Sequence, residues 1–174
     1  MDGINSQRQK EGGLKVKIRA YGVISKKKKE LVKSLVNFSL ETLVPNDNLN
    51  LNITLKFVPE DQEHRAWAVN EFSHHKKPKK FTVILPNDIE IMRLLFRTAH
   101  ETTHIKQWYV GDLVETKDEV CYWKGRRYDP SKNSYWLHPW EIEAHGLELT
   151  LPYLWAKVKN LTNESWYNNY NHLM

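Results

Sequence analysis

Arg97-Thr98-Ala99-His100-Glu101-Thr102-Thr103-His104-Ile105-Lys106-Gln107-Trp108 carries two histidines four residues apart. On an α-helix that spacing puts both imidazoles on one face, which is a zinc-binding arrangement. Glu101 lies about 100° around the helix from His100, close enough to a metal to hold a water and off the line joining the two ligands. It is placed to act as a base. With 8 His and 14 Glu in 174 residues, composition alone generates roughly 0.03 accidental matches to the pattern, so its context decides more than the motif itself.

The context predicts a helix from about 88 to 110. Asn87 and Glu90 read as an Asn-x-x-Glu capping box directly after the extended run Lys80-Phe81-Thr82-Val83-Ile84-Leu85, which Pro86 closes. Ile91, Leu94, Leu95, Ile105 and Trp108 then recur at helical spacing, and Gly111 reads as the terminator.

A third ligand is sought downstream, in His138-Pro139-Trp140-Glu141-Ile142-Glu143-Ala144-His145-Gly146. Pro139 suits a first helical turn, so Glu141 opens a second helix with its carboxylate free. Glu141 and His145 share a face, Glu143 points away from both, and Ala144 is small where two helices must approach closely.

His100-Glu101-x-x-His104 followed by Glu141-x-x-Ala144-His145 resembles the gluzincin metallopeptidases, over about residues 80–160. The Glu141-to-Ala144 stretch is similar to the ligand segment of CAAX-prenyl-protease-type and ImmA/IrrE-like peptidases, and the chain also resembles small His-Glu-x-x-His proteins of tailed phages. The resemblance implies an α+β, zincin-like (minigluzincin) fold in its minimal soluble form, with zinc on His100, His104 and Glu141. It further implies peptide hydrolysis by a zinc-activated water with Glu101 as general base. His145 stands where those families carry an Asp or Asn, so it is expected to support a ligand histidine, with direct ligation the alternative. His138 can cap the second ligand helix or bond a reaction oxyanion, and Tyr135 is its rival for the second role.

At 174 residues the chain suits one domain, 14–174, after a flexible tail at 1–13. One cysteine, Cys121, excludes an internal disulfide, and no apolar leader or span of about 20 apolar residues is present, so a cytoplasmic chain is expected, in the host cytoplasm if viral. Residues 1–80 hold 16 Lys or Arg against 9 Asp or Glu, and residues 81–174 hold 10 against 12. The basic runs Lys26–Lys29 and His74–Lys80 read as solvated surface, or as contact with an acidic partner or nucleic acid. His64, His74 and His75 read as surface imidazoles.

Periodicity supplies the remaining order. Lys15 to Tyr21 alternates like a strand, Ser25 caps a helix burying Leu31 to Leu43, and Leu49 to Phe57 alternates strictly. Arg65 to Val69 and Phe81 to Leu85 are further strands, either of which can be the edge that receives a peptide or protein substrate as an added strand. The expected result is a small mixed sheet with helices on one face, then the motif helix and a second ligand helix. Between those two helices, Glu119 to Pro130 reads as a hairpin turning at Lys124-Gly125, and Pro152 predicts a kink or restart near Thr150. The tryptophans read as core and cleft lining. Two other classes compete: a SprT-like DNA-associated protease with a histidine as third ligand, and a non-catalytic zincin-fold binding or virion protein.

Overall fold

The computed structural model describes residues 15–45, 49–60, 66–71, 77–116 and 120–168. The expected tail at 1–13, Arg65, His64, His74 and His75 lie outside the described residues. The chain is α+β. It runs β1 (Lys15–Gly22), α1 (Lys26–Leu43), β2 (Asn50–Val58), β3 (Trp67–Asn70), β4 (Lys80–Pro86) and α2 (Ile91–Val110). Three short strands follow, β5 (Leu113–Glu115), β6 (Cys121–Trp123) and β7 (Arg126–Tyr128). Two single helical turns, Pro130–Lys132 and Tyr135–Leu137, lead to α3 (Pro139–Glu148), α4 (Thr150–Val158) and α5 (Ser165–Asn168).

The main sheet has the order β1-β2-β4-β3 and is mixed: β1, β2 and β4 are parallel, while β3 runs antiparallel to β4 at the edge. Alternation in β2 sends Leu51, Ile53, Leu55 and Phe57 into the core and leaves Asn52 and Lys56 exposed. In β1, Lys17 and Arg19 share that wet side, paired with Asn52 and Thr54. The dry side meets α1 through Val32, Val36 and Leu40 and α2 through Leu94 and Ile105. Each such side chain taken from water contributes about 1.5–3 kcal/mol, which fixes the register of the sheet under the helices.

α1 begins as its sequence reads, with the Ser25 hydroxyl accepting from the Lys28 N–H at 3.3 Å. Within the Lys26–Lys29 run, Lys27 pairs with Glu164 at 2.7 Å, and Lys28 Nζ donates to the carbonyls of Asn87 and Ile89. That basic run is therefore partly structural, since it ties α1 to the entrance of α2. The same ties correct the expected start of α2. Asn87 donates its amide to the Val23 carbonyl, and Asp88 accepts from the Glu60 N–H, so no Asn87–Glu90 capping box forms and the helix starts at Ile91. Its end is as expected, with Gly111 left-handed at φ 83°.

Lys124 and Gly125 both have positive φ, 49° and 78°, and make the tight turn between β6 and β7. The sequence reading missed β5, which completes a three-stranded antiparallel sheet with them. Proline has no N–H and its ring crowds the carbonyl four residues back, so Pro152 ends α3 at Glu148 and restarts the helix as α4 at Thr150. Among the described residues no helix is long and apolar enough to cross a membrane.

Candidate metal centre and cleft

α2 runs through the core, and the same helix holds the polar motif. Thr98, Thr102 and Thr103 are fully buried, and each hydroxyl donates to the carbonyl four residues back, at 2.7–2.9 Å. Those bonds satisfy the hydroxyls without outside partners. His100, Glu101 and His104 are also buried. α3 packs across them with the fully buried Ala144 at the approach, and so brings Glu141 over the two rings.

His100 Nε2 and His104 Nε2 lie 3.1 Å apart. Glu141 Oε2 is 3.3 Å from the first nitrogen, and Oε1 is 3.6 Å from the second. Donors at the corners of a tetrahedral site with bonds of about 2.0–2.1 Å stand roughly 3.3 Å from one another, so the two imidazole nitrogens and the carboxylate, which meets each of them with a different oxygen, are spaced on the scale of such a site. His100, Glu141 and His145 also form a group that can hold a metal ion, with ligand atoms within 4.8 Å of one another. The two sets share His100 and Glu141.

Hydrogen bonds set the tautomers. Gln107 is fully buried and donates its amide to the Trp140 carbonyl (2.8 Å) and to Glu143 Oε2 (2.9 Å). Both partners are acceptors, so the amide oxygen faces His104 Nδ1 at 2.8 Å and that nitrogen carries the proton. His104 Nε2 is thereby aimed at the cluster. His100 Nδ1 meets Glu148 Oε2 at 3.1 Å with the same effect. Gln107 and Glu148 were not among the residues expected from the sequence, although each stands at a helical repeat from a candidate ligand, at His104 plus three and Glu141 plus seven. Lys106 supports the outer end of this network through Asp112 at 2.9 Å and Glu143 at 3.2 Å.

Three carboxylates around two imidazoles make the centre attractive to positive charge. Burial alone would lower His100, but hydrogen bonds to Glu141 and Glu148, with the charges of Glu101 and Glu141, push it up to about 9. His104 is raised by Glu141 and Glu101 against the same burial. Glu141 is held far below the usual carboxylate range despite burial, by both histidines and by Tyr135. Glu101 goes the other way: its burial raises it, opposed by the two histidines and by the Ala68 N–H of β3, which donates to its carboxylate.

The remaining expected residues divide clearly. Tyr135 faces the centre and donates its hydroxyl to Glu141 Oε2 at 2.6 Å. His138 does not: its Nε2 lies 3.2 Å from the Pro130 carbonyl, its ring packs against Tyr128 and Trp140, and it makes no side-chain cap to α3. His145 packs its ring directly against His100, centroids 4.5 Å apart, and shares Glu148 with it, whose Oε2 is 3.1 Å from His145 Nδ1; its own Nε2 is buried without a hydrogen-bond partner. Trp108, Trp140, Trp155 and Trp166 are buried as expected, whereas Trp136 is 65% exposed beside His145. A cleft of about 250 Å³ opens over His100, Glu101, His104 and Glu141, walled by the edge strand β3 and by Trp108 and Trp140. The chain matches no family model, no curated protein and no solved structure.

Proposed function

We propose that the chain is a zinc-dependent peptidase of zincin-like fold, with the metal on His100, His104 and Glu141 and a peptide or protein as substrate. The observation that carries this reading is the convergence of those three donors at 3.1–3.6 Å, beside a buried carboxylate at an edge strand. The nitrogen and carboxylate donor set suits zinc. The gluzincin likeness of the motif and of the Glu141 segment supports the same assignment.

Zinc held there supplies Lewis acidity to a scissile carbonyl and lowers the pKa of a water towards ~7. Glu101 takes the proton of the attacking water and returns it to the leaving amine. Burial raises the pKa of its carboxyl, which makes it a stronger base than a solvated carboxylate. β3 offers its outer backbone edge to an extended substrate, and Ala68 holds Glu101 in register with that edge. Tyr135 is the donor in reach of a developing oxyanion.

One observation favours a second reading. The unpartnered Nε2 of His145 and its place in the metal-capable group with His100 and Glu141 would suit a fourth protein ligand, which closes the centre and makes it a scaffold. Metal analysis of the purified protein separates the two. Wild type is expected to hold one zinc per chain, His104→Ala and Glu141→Gln to lose it, and His145→Ala to keep it. Stoichiometric zinc in His104→Ala would sink the ligand set, and loss in His145→Ala with retention in Glu141→Gln would invert it.

A further inference from the structure

The cleft has a second arm of about 430 Å³ that shares Ala66, His100, Glu101 and Tyr135 with the first. The two arms differ in chemistry. The first runs over Trp67, Trp108, Leu113 and Trp140, and among the described residues its one outlying carboxylate, Glu115, accepts from the Trp108 indole at 3.0 Å. The second runs back along α2 past Phe96 to Arg97 and Arg93, with Trp136 on its other wall.

Glu60 Oε1 lies 2.6 Å from Arg97 and 3.4 Å from Arg93, so among the described residues two guanidinium groups meet this one carboxylate. The Arg93 side chain is 59% exposed and faces a ligand at little desolvation cost. Among the described residues, the acidic groups lining this arm sit at its inner end and are engaged: Glu148 by His100 and His145, Glu101 by Ala68. Arg97 and Arg93 precede Glu101 by one and two helical turns, about 6 and 12 Å along the axis. An extended peptide advances about 3.3 Å per residue, so the two guanidinium groups stand roughly two and four residues from a bond held at Glu101.

We infer that the second arm is a carboxylate subsite, and that the substrate is a segment with Asp or Glu two to four residues to one side of the cleaved bond and a large apolar side chain on the other. Arg93 is the specificity-determining residue, because a guanidinium grips a carboxylate with two parallel hydrogen bonds. This rests on the peptidase reading, but its binding test does not depend on turnover.

The probes are blocked octapeptides with one Phe and a Glu stepped through the other positions, each beside its Gln counterpart, and a set whose only carboxylate is a free C-terminus. Binding is read by fluorescence anisotropy on zinc-loaded Glu101→Gln protein, with and without Arg93→Glu, and cleavage by mass spectrometry on wild type. Glu peptides are expected to bind about 5–10-fold tighter than Gln peptides at positions two to four residues away, with the gap shrinking in salt. Arg93→Glu should erase that gap and favour Lys in the same position. Preference for the free C-terminus alone would overturn the side-chain form of the proposal. Equal binding of Glu and Gln peptides, absence of binding, or a preference untouched by Arg93→Glu would overturn it entirely. Cleavage by wild type without acidic preference leaves the peptidase reading standing and removes the subsite. Acidic preference in binding with no cleavage of any peptide does the reverse.

Discussion

His100 and His104 are the same residue one helical turn apart, yet the protein holds them in opposite ways. His104 is fixed by Gln107, a neutral, fully buried amide whose other hydrogen bonds cross to α3 at Trp140 and Glu143. His100 is fixed by Glu148, a carboxylate with 28% of its side chain exposed that it shares with His145. The first support is part of the core and joins two helices, while the second is an electrostatic contact at the cleft rim. The difference teaches that the centre has a structural side and an adjustable side. Changes around His104 should cost stability and metal together, and changes around His100 should alter the metal alone.

Gln107→Leu is the strongest way to break that contrast. It leaves the buried His104 Nδ1 without its partner and takes one hydrogen bond each from the Trp140 carbonyl and from Glu143, which keeps Lys106, and an unsatisfied buried group costs about 1–3 kcal/mol. Thermal denaturation should show a melting temperature lower by roughly 10 °C. Zinc affinity in a competition titration should fall by about 10 to 100-fold. An unchanged melting temperature would mean that the bridge between α2 and α3 carries little.

Glu148→Gln tests the other side. It keeps the shape but removes the charge, so zinc affinity should weaken by about 10-fold while the stability of the zinc-loaded protein stays near wild type, since the group is partly exposed. Equal stability losses in the two variants would erase the distinction between the supports.

The pH dependence sharpens it further. Without metal, His100 has its pKa raised from 6.5 to about 9 in the folded protein, so its protonated form adds stability that is complete below about 6.5 and disappears as pH rises through about 9. Metal must displace that proton. Chelator-treated protein should therefore lose stability between those values, zinc affinity should climb over the same interval, and Glu148→Gln should move the climb to lower pH. A flat melting temperature across the window would remove the charge argument. His145→Ala has the smallest expected effect, a few-fold loss of zinc affinity through the shared Glu148 carboxylate.

Much of this was legible in the chain, for identifiable reasons. Strict alternation in β2 and the 3.6-residue recurrence in α2 follow burial, and Gly111, Gly125 and Pro152 act through local backbone sterics; all of these appear where the sequence puts them. The mixed sheet follows from the same pattern, but which strand lies at its edge does not, because strand order depends on long-range pairing. The capping box failed because Asn87 and Asp88 have better partners distant in sequence, Val23 and Glu60. The direction of His138 was not legible because an extended residue before a helix has no periodicity to aim it, and its Nε2 meets the Pro130 carbonyl, which accepts the hydrogen bond. Gln107 and Glu148 became visible only when α2 and α3 were brought together.

The most direct test of the account is peptide hydrolysis by zinc-loaded wild type and Glu101→Gln side by side, with zinc content measured on the same samples. The substitution keeps volume and removes the base, so equal zinc and a fall in hydrolysis of about 10²-fold or more are expected. Equal hydrolysis by both proteins, at equal zinc, would contradict the assignment of Glu101 and the peptidase reading with it.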